Sequence, residues 1–252
     1  MTALARTRVA TAMAFRDQLR RPLVLILIVV IPAYVITKSI AQTLATPRRI
    51  GLPDGVFVTT TMKELHGAGM GGVVVAFVAA LLGVFVMQSA LDGDRRLVIA
   101  GFRPGETVLA RLLVLLSGTA LVVGVAALVT ALNFSAASWV PLLAALMLLG
   151  LIYAAIGALA GALLDRLAAT YLMLFLVMTD LGVVQTPMFH VTPGRFAALL
   201  PGYGPSRVMY DGAFSQGFHA GPELLLSLGW TAVLAIAVGI VLRRTVGDTG
   251  AA

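Results

Sequence analysis

Apolar runs of about 20 residues recur six times along this chain, each long enough to cross the roughly 30 Å hydrocarbon core of a bilayer as an α-helix. They fall at 22–41, 70–91, 107–134, 139–164, 167–189 and 223–242. The pattern predicts an all-α, polytopic membrane protein with six transmembrane helices. Only 12% of the 252 residues are charged, against about 25% in soluble domains. A soluble protein of this composition could not cover its surface. Pro32 and Pro141 fall within spans, where neighbouring helices can satisfy the freed carbonyls.

Residues 1–21 are expected to form an interfacial helix ahead of a transmembrane domain covering residues 22–252. Arg6, Arg8, Arg16, Arg20 and Arg21 are interleaved there with Leu4, Val9, Met13, Phe15 and Leu19, which suits the anionic headgroup layer. No cleavable signal peptide is read in this segment. With the N-terminus in the cytoplasm, those five arginines join Arg95, Arg96, Arg103, Arg111, Arg166, Arg243 and Arg244 inside, twelve in all. Six basic residues fall outside: Lys38, Arg48, Arg49, Lys63, Arg195 and Arg207. The excess predicts that both termini are cytoplasmic, and the plasma membrane is the expected location. It also assigns the net charge of +7 to membrane topology rather than to nucleic acid. The chain has no cysteine, which excludes disulfides and thiolate metal sites.

The connections differ in character. Asp165 and Arg166 alone join the fourth and fifth spans, which predicts a tight helical hairpin. Residues 42–69, with Pro47, Pro53, Asp54 and Gly55, read as an irregular outer cap. Residues 190–222 carry Phe196, Leu199, Leu200, Val208, Met209 and Phe214 around Pro201, Gly202, Tyr203, Gly204 and Pro205. That much apolar surface predicts two short re-entrant helices, dipping into the outer leaflet on either side of a proline-glycine turn before the last span. Gly150, Ala154, Gly157 and Gly161 mark one face of the fourth span for close approach, either to another helix of the chain or to a second copy.

Several chemistries are absent. A phosphate-binding P-loop needs glycine before its lysine, but Thr37 precedes Lys38 and Met62 precedes Lys63. Asp180 is the one acid well inside a span, so no carboxyl dyad forms. His66, His190 and His219 lie in outer segments, without the spacing of a metal site or a partner serine at matching depth. No catalytic residue, metal or cofactor is expected in this chain. Asp180 lies about eight residues, or roughly 12 Å, from the outer end of its span. Its cost in lipid requires that it face protein or water. It reads either as a contact for a cationic or zwitterionic substrate or as a structural group, paired with Lys38 or bonded to a backbone carbonyl. Tyr34 and Phe175 are aromatic candidates for the same pathway.

The polar island at residues 92–111, DGDRRLVIAGFRPGETVLAR, interrupts the apolar pattern and is expected to lie in water. Asp94 can cap a short helix from Arg95 to Ala100, ended by Gly101, with Phe102 and Arg103 in the following turn. Glu106 then begins the third span, favourably placed at a helix N-terminus. Leu97, Val98, Ile99 and Phe102 beside Arg95, Arg96 and Arg103 make either a docking knob or a solvated loop whose arginines set topology. The residues alone leave both open.

Arg96 through Leu113, RLVIAGFRPGETVLARLL, resembles the segment joining the second and third spans of ABC-2-type transporter permeases, with Glu106, Arg111, Leu112 and Leu113 at matching positions. The segment LLPGYGPSRVMYDGAF and the tight hairpin around Asp165 are similar to features of that family. Two departures stand out. Asp92-Gly93-Asp94-Arg95 replaces a frequent Gly-Thr-Leu-Glu, and Ala100-Gly101 replaces a common Ser-Pro. Length and Ala/Val/Leu-rich spans most resemble small actinobacterial drug-export permeases. The resemblance implies an exporter of a hydrophobic or amphipathic substrate, a drug or a lipid. Its power would come from two cytoplasmic ABC ATPase subunits that hold the ATP and magnesium, beside a second permease, identical or paralogous. It also implies that the island docks on the ATPase. The rival class is a passive channel or scaffold with no ATPase.

Overall fold

Long apolar helices in lipid associate by fitting closely, because lipid is as apolar as their side chains. The computed structural model, which describes Val9, residues 11–13, Arg16 and residues 26–99 and 104–247, is built around one such fit. Helix α2 (Met62–Ile99) and helix α4 (Trp139–Leu163) pack along most of their shared length. A Cβ at Gly83 would lie 2.0 Å from the Ala154 carbonyl oxygen, and one at Gly157 would lie 2.0 Å from that of Ala80. A Cβ at Gly161 would lie 2.9 Å from the Val84 carbonyl oxygen. The predicted small-residue face therefore packs within the chain, and Gly83 answers it from α2.

Around this pair stand α1 (Ile26–Gln42), α3 (Pro104–Asn133), α5 (Arg166–Val184), α6 (Tyr203–Phe214) and α7 (Gly221–Gly247). The most apolar stretch of α2 is 89% buried and that of α7 only 17%, so α2 is the axle and α7 the rim. Five helices are long and apolar enough to cross a membrane: α2 through α5, and α7. They correspond to the second through sixth expected spans. Helix α1 is shorter, and the start of the first expected span, residues 22–25, lies outside the described residues. So does most of the expected interfacial helix over residues 1–21. A wide π-turn over Ile26–Val30 opens α1 just ahead of Pro32, whose missing N–H cannot continue an α-helical ladder.

Two corrections concern α2. Its N-terminus lies eight residues before the expected start at residue 70, because Thr61 and Glu64 form a capping box. The Thr61 hydroxyl accepts from Glu64 N–H at 3.2 Å, while Glu64 Oε2 accepts from Thr61 N–H at 3.2 Å. At the other end α2 runs unbroken to Ile99. Asp94 is therefore inside a helix rather than capping a separate short one. Gly93 is the weakest helix former there, flanked by Asp92 and Asp94, and a single glycine costs only about 1 kcal/mol, too little to break a continuous helix.

The segment expected to be an irregular cap is ordered. Strands β1 (Pro47–Gly51) and β2 (Phe57–Thr61) form an antiparallel hairpin. Asp54 (φ 56°) and Gly55 (φ 72°) take the two left-handed positions of its tight turn, closed by Val56 N–H on the Pro53 carbonyl at 3.3 Å. Arg49 lies over the Phe57 ring at 4.4 Å.

The two ends of the bundle differ. The α4–α5 turn sits beside α2 near its charged end, with Arg166 over Phe85 at 4.6 Å and Gln88 donating to the Leu164 carbonyl at 3.4 Å. Asp165 caps α5, accepting from Leu167 and Ala168 N–H at 2.9 Å each, which completes the predicted tight hairpin. This is the basic end. The hairpin, residues 185–200 and α6 gather at the opposite end. Gly51 N–H donates to the Val191 carbonyl at 2.9 Å, and Ser138 N–H to that of Gly212 at 2.8 Å.

Candidate functional site

At the basic end the island divides in two. Asp94, Arg95, Arg96, Leu97, Val98 and Ile99 continue α2 as a helix beyond its apolar run, which ends at Leu91. Phe102 and Arg103 lie outside the described residues. The second half does not lie in water as expected. Glu106 sits in the first turn of α3 and is buried, with Thr107 and Arg111. Arg111 borders a small apolar void with Val86, Met87 and Leu242. Beyond Ile99 and back into α3, the chain thus returns to the bundle core within a few residues, and the root of the island is locked against α2 and α7.

The second cluster lies toward the hairpin end. Asp180 occupies a π-turn, Met178–Val184, at the end of α5 and is 1% exposed. Its Oδ2 accepts from the Tyr153 hydroxyl at 2.5 Å and from Gly202 N–H at 2.9 Å; its Oδ1 accepts from the Gln185 amide at 2.9 Å. Gln185 also donates to the Ala197 carbonyl at 3.0 Å. One carboxyl thus ties α4, α5, the 195–199 turn and the start of α6. Gly202 makes this possible, since a Cβ there would lie 2.7 Å from Asp180 Oδ2 and 2.4 Å from Leu181. Buried acceptors with matched donors stabilise a junction, and one left unmatched would be costly in a low-dielectric interior.

This geometry favours the structural reading of Asp180, with partners other than Lys38, which is exposed on α1. A substrate has no access to its carboxyl in this conformation. Tyr34 and Phe175, 62% and 75% exposed, face outward from α1 and α5. The three residues therefore do not line one internal pathway. Tyr153 and Gln185 were missed by the sequence reading. A signal existed for Tyr153, the one hydroxyl-bearing side chain in an otherwise apolar fourth span, because a buried tyrosine hydroxyl demands a partner.

Residues 195–214 do form two short helical pieces, a 3-10 turn at Arg195–Leu199 and α6. The connecting turn is narrower than expected. Pro201 and Gly202 make it, while Tyr203 and Pro205 already belong to the first turn of α6, where a proline costs no hydrogen bond. Helix α6 is buried from Gly204 to Ala213. Arg207 donates to the Gly51 carbonyl at 2.6 Å, pinning the hairpin. Asp211 accepts from His219 N–H at 2.7 Å and contacts its ring Nδ1 at 3.2 Å, bending the chain back into α7. Ser215 contacts the same ring nitrogen at 3.2 Å. Serine and aspartate thus share one nitrogen instead of lying on opposite sides of the ring, which is not a nucleophile-activating arrangement. Among the described residues no three His, Asp or Glu side chains are grouped to hold a metal ion. No protein-family model matches this chain, and no curated protein matches it.

Proposed function

We propose that this chain is the membrane-spanning subunit of an ATP-driven exporter of the ABC-2 type, moving a hydrophobic or amphipathic substrate such as a drug outward across the plasma membrane. The observation that carries this reading is the run of α2. It is a single 38-residue helix, about 57 Å long at 1.5 Å per residue. It starts at the outer hairpin, forms the buried axle of the bundle and continues about 12 Å past its apolar run into the arginine segment. A push on Arg95, Arg96 and Leu97 would travel along a rod clamped to α4 by backbone contact. The buried root at Glu106 and Arg111 would carry the same movement into α3.

In this reading the basic end is cytoplasmic, with both termini there. Helix α1 completes a set of six spans, and the 195–214 pieces enter the outer leaflet. A separate ATPase pair binds ATP and magnesium, and a second permease, identical or paralogous, completes the conduit. The resemblance of residues 96–113 to the family's coupling segment supports the assignment, as does the lack of a P-loop in this chain. The test is purification of the native complex with its partners, followed by drug-stimulated ATP hydrolysis. Replacing Arg95, Arg96 and Leu97 together with alanine should abolish stimulation while the amount of membrane-inserted chain stays unchanged. A native protein that never retains an ATPase, with transport indifferent to those three residues, is a passive channel or scaffold instead.

A further inference from the structure

A cleft of about 330 Å³ opens at the hairpin end, between the last turn of α1, the first turn of α2 and the end of α3. All three elements reach the limit of their apolar stretches there, at Gln42, Met62 and Asn133, which places the cleft where hydrocarbon meets water. Its lining is amphipathic. Ile40 and Phe134 supply apolar walls, and Lys63, Glu64, Asn133 and Ser135 supply polar ones. Leu44 and Leu132, 77% and 78% exposed, lie next to it along the chain.

We propose that this cleft binds a phosphoethanolamine headgroup, with the acyl chains of the lipid lying outside it against Leu44 and Leu132. The inference rests on the membrane placement of the bundle and not on the exporter reading. Size is the first argument. Pockets for drug-sized ligands run from about 300 to 1,000 Å³, so this one suits a small polar head better than a whole amphiphile. Charge is the second. Lys63 is an exposed ammonium suited to a phosphate, and the neighbouring Glu64 carboxylate suits a cation. Every hydrogen bond of Glu64's carboxylate falls on Oε2, from Thr60, Thr61 N–H and the Thr61 hydroxyl, leaving Oε1 as an acceptor. The third argument separates ethanolamine from choline. Asn133 spends its amide N–H on the Val129 carbonyl at 2.7 Å, which leaves its carbonyl oxygen to accept. With Glu64 and Ser135 it offers oxygen acceptors to a primary ammonium, which has N–H donors to give. A quaternary ammonium has none and is held by aromatic cages, whereas this cleft has one ring.

The test is native mass spectrometry of delipidated protein in detergent, titrated with phosphatidylethanolamine, phosphatidylcholine and phosphatidylglycerol of matched chains. One phosphatidylethanolamine should be retained, with a preference of about tenfold over the other two. Lys63→Glu and Glu64→Gln should each remove the preference, while Lys63→Arg keeps it. Glutamine still completes the capping box at position 64, and an unchanged melting midpoint confirms that the fold survives. Equal retention of the three lipids, or a preference unmoved by Lys63→Glu and Glu64→Gln, overturns the proposal. Soluble phosphoethanolamine is the second arm. Binding weaker than that of the lipid supports a lipid site, and binding as tight as the lipid overturns the lipid assignment.

Discussion

Helices α2 and α4 are joined by having almost nothing between them, whereas the junction of α4, α5 and α6 is joined by a cluster of polar groups. In the first region Gly83 and Gly157 let two backbones touch, and the fit is dispersion and shape. In the second, Asp180 collects donors from Tyr153, Gln185 and Gly202. The seam is continuous and tolerates no added atom. The junction is a point contact that depends on hydrogen-bond direction. A rod that transmits force needs the first kind of joint, while a cap that holds the ends of several helices in place is served by the second. In the exporter reading the seam lies along the load path, and the junction holds the outer end around α6.

Substitutions should separate the two modes. The largest effect is expected from Gly157→Leu, whose Cβ alone would meet the Ala80 carbonyl oxygen at 2.0 Å. Backbone cannot retreat as a side chain can, so overpacking here should exceed the usual range of about 1–3 kcal/mol, and membrane-inserted protein should fall to the detection limit on a fluorescence size-exclusion trace. Gly150→Ala is the built-in contrast, because its Cβ meets the Thr119 side-chain methyl rather than backbone. Next comes Asp180→Leu, which strands the Tyr153 hydroxyl, the Gly202 N–H and one Gln185 N–H together. Its cost should be about 3 kcal/mol, read as a lowered melting midpoint in detergent, and Asp180→Asn should recover part of it. A stable Asp180→Leu protein with altered substrate range would instead return this residue to the transport pathway. The smallest effect belongs to Tyr153→Phe, about 1 kcal/mol. Asp180 Oδ2 keeps its Gly202 donor, so the junction should loosen without dissolving.

Much of this was legible along the chain. Five of the six expected spans followed from apolar run length, and a face for close approach followed from Gly150, Ala154, Gly157 and Gly161, although not which helix would meet it. Two signals were present and unused. Asp54-Gly55 between β-branched stretches marks a tight hairpin, and Thr61 followed three residues later by Glu64 marks a helix start. Both are local patterns, and both were masked by reading residues 42–69 as one irregular loop. The polar junction was not legible in that way. Tyr153 and Asp180 are 27 residues apart, on different helices, and no periodicity links them.

The sequence by itself determined the membrane class, the helical architecture, the apolar lengths and the small-residue face, because each depends on local pattern meeting a uniform lipid solvent. Tertiary structure alone decided which face the glycines meet, that α6 is buried, that Glu106 and Arg111 sit inside the bundle, and that Asp180 is occupied by internal donors. Those outcomes depend on which distant side chains come within hydrogen-bonding or van der Waals reach. That is a property of packing in three dimensions, and residue order constrains it only weakly.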